Sequence, residues 1–344
     1  MEYSVMESSV SFRPPWYLRS GHFQTLLTVV YRPKLVLTDT RQYSVPLPSN
    51  VGATYIYENV PAEGAHSRSN YDPSHAVLLL HGLGSSHSGA YMNNIAARLV
   101  AQGYRVIRVD LPGSGPSSSL TWLPAHAGCS EEMWTILDWC HQNLGIETWR
   151  GIGFSLGGNL LLKMLADHAG DLTNQRVPWN FKAALAVAPP IDLAACCDGM
   201  EQSINRWYAK HFLKILMAEV ERRSNSWERW AKIPRIPKPL TIRQFDDRFT
   251  APLAGFHDSE EYYRKSSSGT HLQKILTPTI ILGDRHDPIV PARIFSQAFE
   301  NPCIQMKWTQ RGGHLGYLHR AKDGRYVRWA DEWVADQIME LNPS

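Results

Sequence analysis

The sequence predicts an α/β fold with a mostly parallel, doubly wound sheet and an inserted helical cap. Short continuous apolar runs, such as residues 76–80, are typical of strands buried on both faces of a parallel sheet. Strands and helices then alternate to residue 187, which favours helices on both faces of that sheet. The alternation stops at Pro189-Pro190 and resumes at Thr279. The helical and irregular stretch between these points is predicted to be a cap.

The first half of the chain supplies most of the predicted sheet. Residues 1–75 are mixed and Pro-rich, and the alternating stretch at 53–57 predicts antiparallel strands. After the strand at 76–80, a helical pattern covers residues 90–102, ends at Gly103 and leads into a strand at 104–109. Acidic residues in the first turn favour a helix at 131–143. The next predicted elements are a strand at 149–154, a helix at 157–168 and a strand at 181–187.

The second half is predicted to contain the cap and the rest of the sheet. The cap is marked by Trp207, Trp227, Trp230 and a proline cluster at residues 234–239. Beyond it we expect a strand at 279–283, a helix near 292–299, the last strand at 304–308 and a closing helix at 326–341. The predicted core therefore comprises residues 1–190 and 271–344, and the predicted cap comprises residues 191–270.

Composition excludes several classes of protein. Hydrophobic residues make up 43% of the 344 residues and charged residues 19%, which suits a globular protein with a core and argues against disorder. A net charge of +3 is too mild to indicate a nucleic-acid partner. The five cysteines include no CxxC pair, which argues against a thiolate zinc site and fits a reducing compartment. Without a recognisable secretory signal, a cytoplasmic location is expected by default.

The strongest chemical signal is the pentapeptide Gly153-Phe154-Ser155-Leu156-Gly157, which has the form G-x-S-x-G. It lies between a predicted strand and a predicted helix, the context in which this pattern makes a nucleophile elbow. Such a tight turn exposes the serine hydroxyl at the start of a helix, where the helix dipole favours a developing anion. Ser155 is therefore the candidate nucleophile.

A serine nucleophile needs a base and an acid, which follow it in chain order on this type of sheet. His314, flanked by glycines after the last predicted strand, is the candidate base. Asp287, just past the strand at 279–283, is the candidate acid, and Asp284 is its competitor. His271 and His319 are weaker candidates for the base. Ser155, Asp287 and His314 are all predicted to lie at the carboxyl edge of the sheet.

The anion formed during acyl transfer needs backbone donors. One candidate is the N–H of Leu156, directly after the nucleophile. The other is the N–H of Leu83, in the glycine-containing loop 81–86 after the first buried strand. A plain glycine turn is the alternative interpretation of this loop. We expect His81 to be structural, with its ring hydrogen-bonded beneath the site.

Several motifs together resemble the YheT-like branch of the α/β-hydrolases, which includes relatives of the mammalian ABHD1 and ABHD3 proteins. The elbow continues as Gly158-Asn159, and the oxyanion loop carries Ser85, Ser86 and Tyr91 as in that branch. Further similarity lies in the H-x-Q-T segment at residues 22–25 and in the F-D-D, G-F and Y-Y segments at 245–247, 255–256 and 262–263. The resemblance implies an α/β-hydrolase fold and esterase, lipase-like or acyltransferase activity on acyl esters.

The leading hypothesis is hydrolysis of a small-molecule carboxylic ester through an acyl-serine intermediate, with an apolar acyl pocket between cap and core. Transfer of the acyl group to an alcohol is a second hypothesis, and a hydrolase fold used only for binding is a third. No cofactor, metal or nucleic-acid partner is expected. Contact with a membrane through the cap is compatible with a lipase-like enzyme, but no amphipathic stretch is clear enough to predict it.

Overall fold

The computed structural model describes residues 7–31, 35–62, 71–174, 176–202, 204–233, 241–296 and 301–341. Within these residues, nine strands form one sheet in the order β1-β9-β8-β7-β6-β4-β5-β3-β2. The strands are β1 (Glu7–Ser9), β2 (Thr40–Pro46), β3 (Ala53–Asn59), β4 (His75–Leu80), β5 (Arg105–Val109), β6 (Thr148–Phe154), β7 (Asn180–Val187), β8 (Thr279–Asp284) and β9 (Ile304–Thr309).

The sheet is parallel except at one edge. β4 to β9 pair in parallel with their neighbours, and β1 adds a parallel strand beside β9. The antiparallel pairs among the described strands of this sheet are β2 with β3 and β3 with β5. The predicted mostly parallel sheet is therefore confirmed, and β6, which leads into Ser155, lies at its centre.

Two hydrophobic cores cover the two faces of this sheet. In β4, Leu78 and Leu80 point into one core, and Val77 and Leu79 point into the other. All four side chains are almost completely buried. This alternation explains why the strand is apolar from Ala76 to Leu80, because each of these side chains enters a core whichever face it is on.

Helices supply the other half of each core. α2 (Ala90–Ala101) and α12 (Trp329–Glu340) cover one face, with Ile95 and Val334 among their buried residues. α3 (Ser130–Leu144) and α4 (Leu156–Asp167) cover the opposite face, with Ile136 and Leu160 buried. The short α1 (Gly21–Val30) lies between β1 and β2 in the chain, and α5 (Ala169–Thr173) follows α4. The doubly wound arrangement is as predicted.

The segment between β7 and β8 contains helices and turns in the parts that the structure describes. These elements are α6 (Leu193–Glu201), α7 (Arg206–Ser224), α8 (Glu228–Ala231), α9 (Ile242–Phe245), a π-helical turn (Asp246–Thr250), α10 (Ala251–Leu253), α11 (Ser259–Ser266) and a 3₁₀ turn (Gly269–Lys274). The proline cluster at 234–239 lies outside the described residues. A division into core and cap at residues 190 and 271 stays a prediction. Among the described helices, none combines the length and apolar character that a membrane span requires.

The C-terminal region differs from the sequence prediction in two places. Residues 326–328 form a strand, β11 (Tyr326–Arg328), paired with β10 (Leu318–Arg320), so β9 is not the last strand and the closing helix starts at Trp329. Strands of three residues are too short to show a period, so residues 326–328 were included in the helical pattern that follows them. The helix predicted near 292–299 is a short 3₁₀ turn, Ala292–Phe295, and residues 297–299 lie outside the described part of the chain.

Candidate active site

The turn from β6 to α4 presents Ser155 in a strained backbone conformation. Its φ of 49° and ψ of −119° lie outside the region that non-glycine residues prefer. The turn can be this tight because glycines occupy the positions where a side chain would clash with the backbone. A Cβ on Gly153 would lie 2.4 Å from the carbonyl oxygen of Gly157, and a Cβ on Gly157 would lie 2.5 Å from that of His81. The local sequence therefore holds the serine hydroxyl at the N-terminus of α4.

Ser155, His314 and Asp287 form a continuous hydrogen-bonded chain. Nε2 of His314 lies 3.0 Å from Oγ of Ser155, and Nδ1 of His314 lies 2.8 Å from Oδ2 of Asp287. His314 and Asp287 are buried, with 7% and 8% of their surfaces exposed. If Nδ1 carries the ring proton, Nε2 is left to accept the serine proton. This arrangement can activate a hydroxyl nucleophile.

The two aspartates of the loop after β8 have different partners. Oδ1 of Asp287 accepts hydrogen bonds from the N–H groups of Ile289 and Val290, which leaves Oδ2 directed at His314. Asp284 instead accepts hydrogen bonds from the Thr309 hydroxyl and from the main-chain N–H of Gly312 and His286. Burial raises the pKa of Asp284. The contacts of Asp284 join the loop after β8 to the loop that carries His314. Asp284 therefore supports the loops around the site.

The loop after β4 lies against the nucleophile. A Cβ on Gly82 would be 3.2 Å from Cβ of Ser155, so the backbone of the loop passes directly over the serine. The hydroxyl of Tyr91 accepts a hydrogen bond from the N–H of Gly82 at 3.0 Å. Leu83 and Leu156 both line the cavity beside Ser155. Among the described residues, neither N–H group donates a hydrogen bond to another part of the protein.

His81 anchors this loop from below. Its Nε2 lies 3.1 Å from the N–H of Leu111 and must accept that hydrogen bond, so Nδ1 carries the proton that reaches the carbonyl oxygen of Gly82 at 2.8 Å. The ring is completely buried, and burial lowers its pKa, which favours the neutral form. These contacts match the structural role expected for His81.

Sequence reasoning missed how the N-terminal segment supports the histidine loop. Oγ1 of Thr25 accepts a hydrogen bond from the N–H of His314 at 2.9 Å and donates one to the carbonyl oxygen of Gly21. The Gln24 amide donates to the carbonyl oxygens of Leu18 and Leu318, and its oxygen accepts from the N–H of Leu318. Both side chains are buried. The H-x-Q-T resemblance drew attention to these residues, but nothing local in the sequence links them to a loop at the other end of the chain.

Two cavities meet at Ser155. One cavity, called open here because the exposed side chains of Tyr31 and Trp207 border it, also contacts His314, Tyr91 and Ile215 of α7. The other, called enclosed because its lining side chains are buried or half-buried, is mainly apolar and is lined by side chains of α6, α7 and the loop after β8, among them Leu193, Met200, Phe212, Leu216, Ile289 and Val290. Leu83, Phe212 and Ile289 border both. A substrate can therefore extend from the serine in two directions.

The buried carboxyl group of Asp246 borders the enclosed cavity. It accepts a hydrogen bond of 2.6 Å from the hydroxyl of Tyr263, and burial raises its pKa to about 6. Cys196 and Cys197 lie in the same wall, and burial raises the pKa of both thiols. These thiols are therefore weak nucleophiles here.

The remaining sequence candidates lie elsewhere. His271 is in the 3₁₀ turn Gly269–Lys274 and His319 is in β10, and neither lines the two cavities at Ser155. The part of the chain that the structure describes contains no group of three or more His, Cys, Asp or Glu side chains placed to hold a metal ion.

Known proteins resemble this chain at the level of family, sequence and structure. Residues 75–190 match a family model described as the alpha/beta hydrolase fold. YheT of Escherichia coli (strain K12) is 26% identical over 314 residues, covering 90% of this chain and 88% of YheT. Phospholipase ABHD3 of Homo sapiens is 24% identical over 320 residues, covering 90% of this chain and 74% of ABHD3. The esterase Pf2001 of Pyrococcus furiosus superposes with a TM-score of 0.53 at 14% identity, over 91% of this chain and all of that one.

The parallel sheet, the strand–serine–helix turn and these matches together define the chain as a protein of the α/β-hydrolase fold. Its resemblance to the YheT-like branch of that superfamily is confirmed by the similarity to YheT and ABHD3.

Proposed function

We propose that this protein is a serine hydrolase that cleaves carboxylic esters through an acyl-serine intermediate. The observation that carries the proposal is the hydrogen-bonded chain from Ser155 through His314 to Asp287, at 3.0 and 2.8 Å, at the junction of two cavities. Relatives named as a phospholipase and a monoacylglycerol lipase bear out the coarser prediction of an enzyme that acts on ester bonds. The residue roles and the mechanism below are our proposal.

In the acylation half-reaction, Oγ of Ser155 attacks the ester carbonyl carbon while Nε2 of His314 takes the hydroxyl proton. Asp287 accepts the hydrogen bond from Nδ1–H, which fixes the tautomer and stabilises the imidazolium. The carbonyl oxygen becomes an anion, for which the N–H groups of Leu83 and Leu156 are the proposed donors. Collapse of the tetrahedral intermediate breaks the bond to the alcohol, which leaves with the proton from His314.

Deacylation repeats these steps with water as the nucleophile. Nε2 of His314 takes a proton from water as the water oxygen attacks the acyl carbon. The intermediate then expels Oγ of Ser155, which recovers its proton from His314, and the carboxylic acid is released. An alcohol in place of water would give a new ester by the same steps.

The two cavities suggest where each half of the substrate binds. The enclosed cavity is lined mainly by aliphatic and aromatic side chains, which favours the acyl chain because burying an apolar chain there is energetically favourable. The open cavity is bounded by Tyr31, Trp207 and His211 and leads to the surface, which suits the alcohol half and its departure. In this proposal, the cap of residues 191–270 contributes walls to both cavities.

The decisive assay is hydrolysis of p-nitrophenyl esters from acetate to palmitate by the wild type, Ser155→Ala and His314→Ala. We expect turnover by the wild type with an optimum in acyl length, and loss of nearly all of it in both variants. Near-wild-type turnover by either variant would disprove the residue assignment. Product analysis with added ethanol separates hydrolysis from acyl transfer, since transfer yields the ethyl ester.

A further inference from the structure

Five exposed aromatic side chains lie in the N-terminal segment and in α7, and two of them, Tyr31 and Trp207, border the open cavity. Trp16 and Trp207 are 78% and 50% exposed, and Tyr17, Phe23 and Tyr31 are also exposed. A group of exposed apolar side chains close together, unlike a single one, is typical of an interaction site. These five residues are called the aromatic rim below.

Contacts link three residues of the rim, Trp16, Tyr17 and Tyr31. The rings of Trp16 and Tyr17 meet at 5.6 Å, and the hydroxyl of Tyr17 is hydrogen-bonded to that of Tyr326 in β11. The hydroxyl of Tyr31 donates to the carbonyl oxygen of Tyr326 at 2.8 Å. Tyr31 and Trp207 both line the cavity that contains Ser155. Tyr17 and Tyr31 therefore meet at Tyr326 of the β10–β11 hairpin, and Tyr31 and Trp207 lie on one cavity.

The rim residues lie in two segments of the chain whose Lys, Arg, Asp and Glu positions are all Lys or Arg. Residues 8–38 and 202–218 together contain seven lysines and arginines and no aspartate or glutamate. Since the whole chain has a net charge of only +3, the rest of the chain is net negative. Arg13 and Arg19 flank Trp16, while Arg206 and Lys210 flank Trp207, and all four cations are exposed.

We propose that the aromatic rim is a docking surface for an anionic lipid bilayer, which brings the mouth of the open cavity against the membrane. Tryptophan and tyrosine suit the membrane–water interface because their rings are apolar and their N–H or O–H groups remain solvated. Adjacent arginines and lysines are attracted to anionic headgroups. Because Tyr31 and Trp207 border the cavity that contains Ser155, a lipid ester could pass from the bilayer directly towards the proposed nucleophile.

The test is flotation of the full chain with vesicles of phosphatidylcholine alone and of phosphatidylcholine mixed with phosphatidylserine. It uses Ser155→Ala as background, so that binding is measured whether or not the protein hydrolyses esters. We expect binding to the mixed vesicles that weakens as salt rises, since salt screens surface charge. Absence of binding at low salt, or equal binding to both vesicles at all salt concentrations, would overturn the proposal.

Variants separate the aromatic and ionic contributions. Trp16→Ala should weaken vesicle binding about tenfold through lost apolar contact, and Arg13→Gln/Arg19→Gln should weaken binding to anionic vesicles by about 10- to 30-fold. The control is Leu276→Ala, another exposed apolar side chain, at 55% exposure, that borders neither cavity. None of these residues lines the cavities, so the same substitutions made in the protein that retains Ser155 should leave turnover of a short soluble ester unchanged.

The same variants distinguish a second copy of this chain as the occupant. If the rim mediates self-association, sedimentation will show an oligomer that Trp16→Ala dissociates, and vesicle binding will not respond to that change. That result would overturn the proposal. Loss of vesicle binding in the Leu276→Ala control to the same extent would also contradict it, because binding would then not depend on the rim.

Discussion

The main-chain N–H of His314 donates a 2.9 Å hydrogen bond to Oγ1 of Thr25, although the two residues are 289 positions apart in the chain. Thr25 is buried in α1, and its own hydroxyl proton goes to the carbonyl oxygen of Gly21. This contact joins the N-terminal helix to the loop that holds the proposed base. The orientation of His314 therefore depends on both ends of the chain.

Thr25→Val keeps the shape of the side chain but removes this acceptor. An unsatisfied buried N–H typically costs about 1–3 kcal/mol, so the free energy of unfolding should fall by that amount. A displaced imidazole should lower kcat by about 10- to 100-fold with a smaller change in KM. Thr25→Ser, which restores the hydroxyl, should recover most of kcat. Equal kcat values for the valine and serine variants would contradict a positioning role.

The two aspartates after β8 should respond differently to amide substitution. Asp287→Asn should lower kcat by about 10,000-fold, because the amide no longer stabilises the correct tautomer of His314. Asp284→Asn should mainly lower the melting temperature, since the partners of Asp284 are Thr309, Gly312 and His286. The measurement is kcat and thermal unfolding of both variants. A larger kcat loss in Asp284→Asn would reverse the assignment.

The elbow should not tolerate a methyl group at Gly157. A Cβ there would lie 2.5 Å from the carbonyl oxygen of His81 and 2.6 Å from that of Leu80, so the turn must shift. We expect Gly157→Ala to cost about 1–3 kcal/mol of stability and to abolish most turnover. Gly170→Ala in α5 is the matched control, because nothing lies within 4 Å of its added Cβ. Full activity of Gly157→Ala would show that the geometry of the turn is not required.

Narrowing the enclosed cavity should change the preference for the acyl half of the ester, and narrowing the open cavity should change the preference for the alcohol half. Met200→Trp narrows the enclosed cavity and should shift the optimum of the p-nitrophenyl ester series to shorter acyl chains. Ile215→Trp narrows the open cavity and should leave that optimum in place while slowing turnover of esters with bulky alcohols. Rates for a matrix of acyl and alcohol lengths provide the measurement. Exchange of these two phenotypes would reverse the assignment of the cavities.

His126 should make folding sensitive to mild acid. Its side chain is buried between Phe256 and Tyr262, and burial lowers its pKa from 6.5 to about 4. The unfolded chain therefore binds the proton more tightly, so stability is lost as pH falls from about 6.5 towards 4. Between pH 7 and pH 5 this loss should be about 2 kcal/mol.

His126→Asn tests this, since its amide oxygen can replace Nδ1 as acceptor for the N–H of Gly128. Urea unfolding at pH 7 and pH 5 should show a smaller loss of stability in the variant than in the wild type. Identical pH dependence in the two proteins would mean that His126 does not titrate in this range.

Much of the architecture was predictable because the sheet leaves a strong sequence pattern. The central strands are buried on both faces, so β4 is apolar without interruption from Ala76 to Leu80. The β10–β11 hairpin was missed because three-residue strands such as Leu318–Arg320 are too short for a period to be recognised. The 3₁₀ turn Ala292–Phe295 was likewise overextended into a helix.

The candidate site was predictable only where a local turn determines the geometry. Gly153 and Gly157 identify the elbow from five consecutive residues. The choice between Asp284 and Asp287 depends on how one loop folds after its strand, and the sequence left both open. The contact of Thr25 with His314 joins distant segments and has no local pattern. The two-cavity arrangement depends on the packing of α6 and α7 over the sheet, which periodicity does not describe.

The central claim is that Ser155 forms a covalent intermediate, and labelling with a fluorophosphonate probe tests it most directly. The account predicts one adduct on the peptide that contains Ser155, loss of ester turnover in proportion to labelling, and no labelling of Ser155→Ala. His314→Ala should label far more slowly, because the hydroxyl has lost its base. Absence of an adduct on Ser155 in a protein that hydrolyses esters would contradict the account.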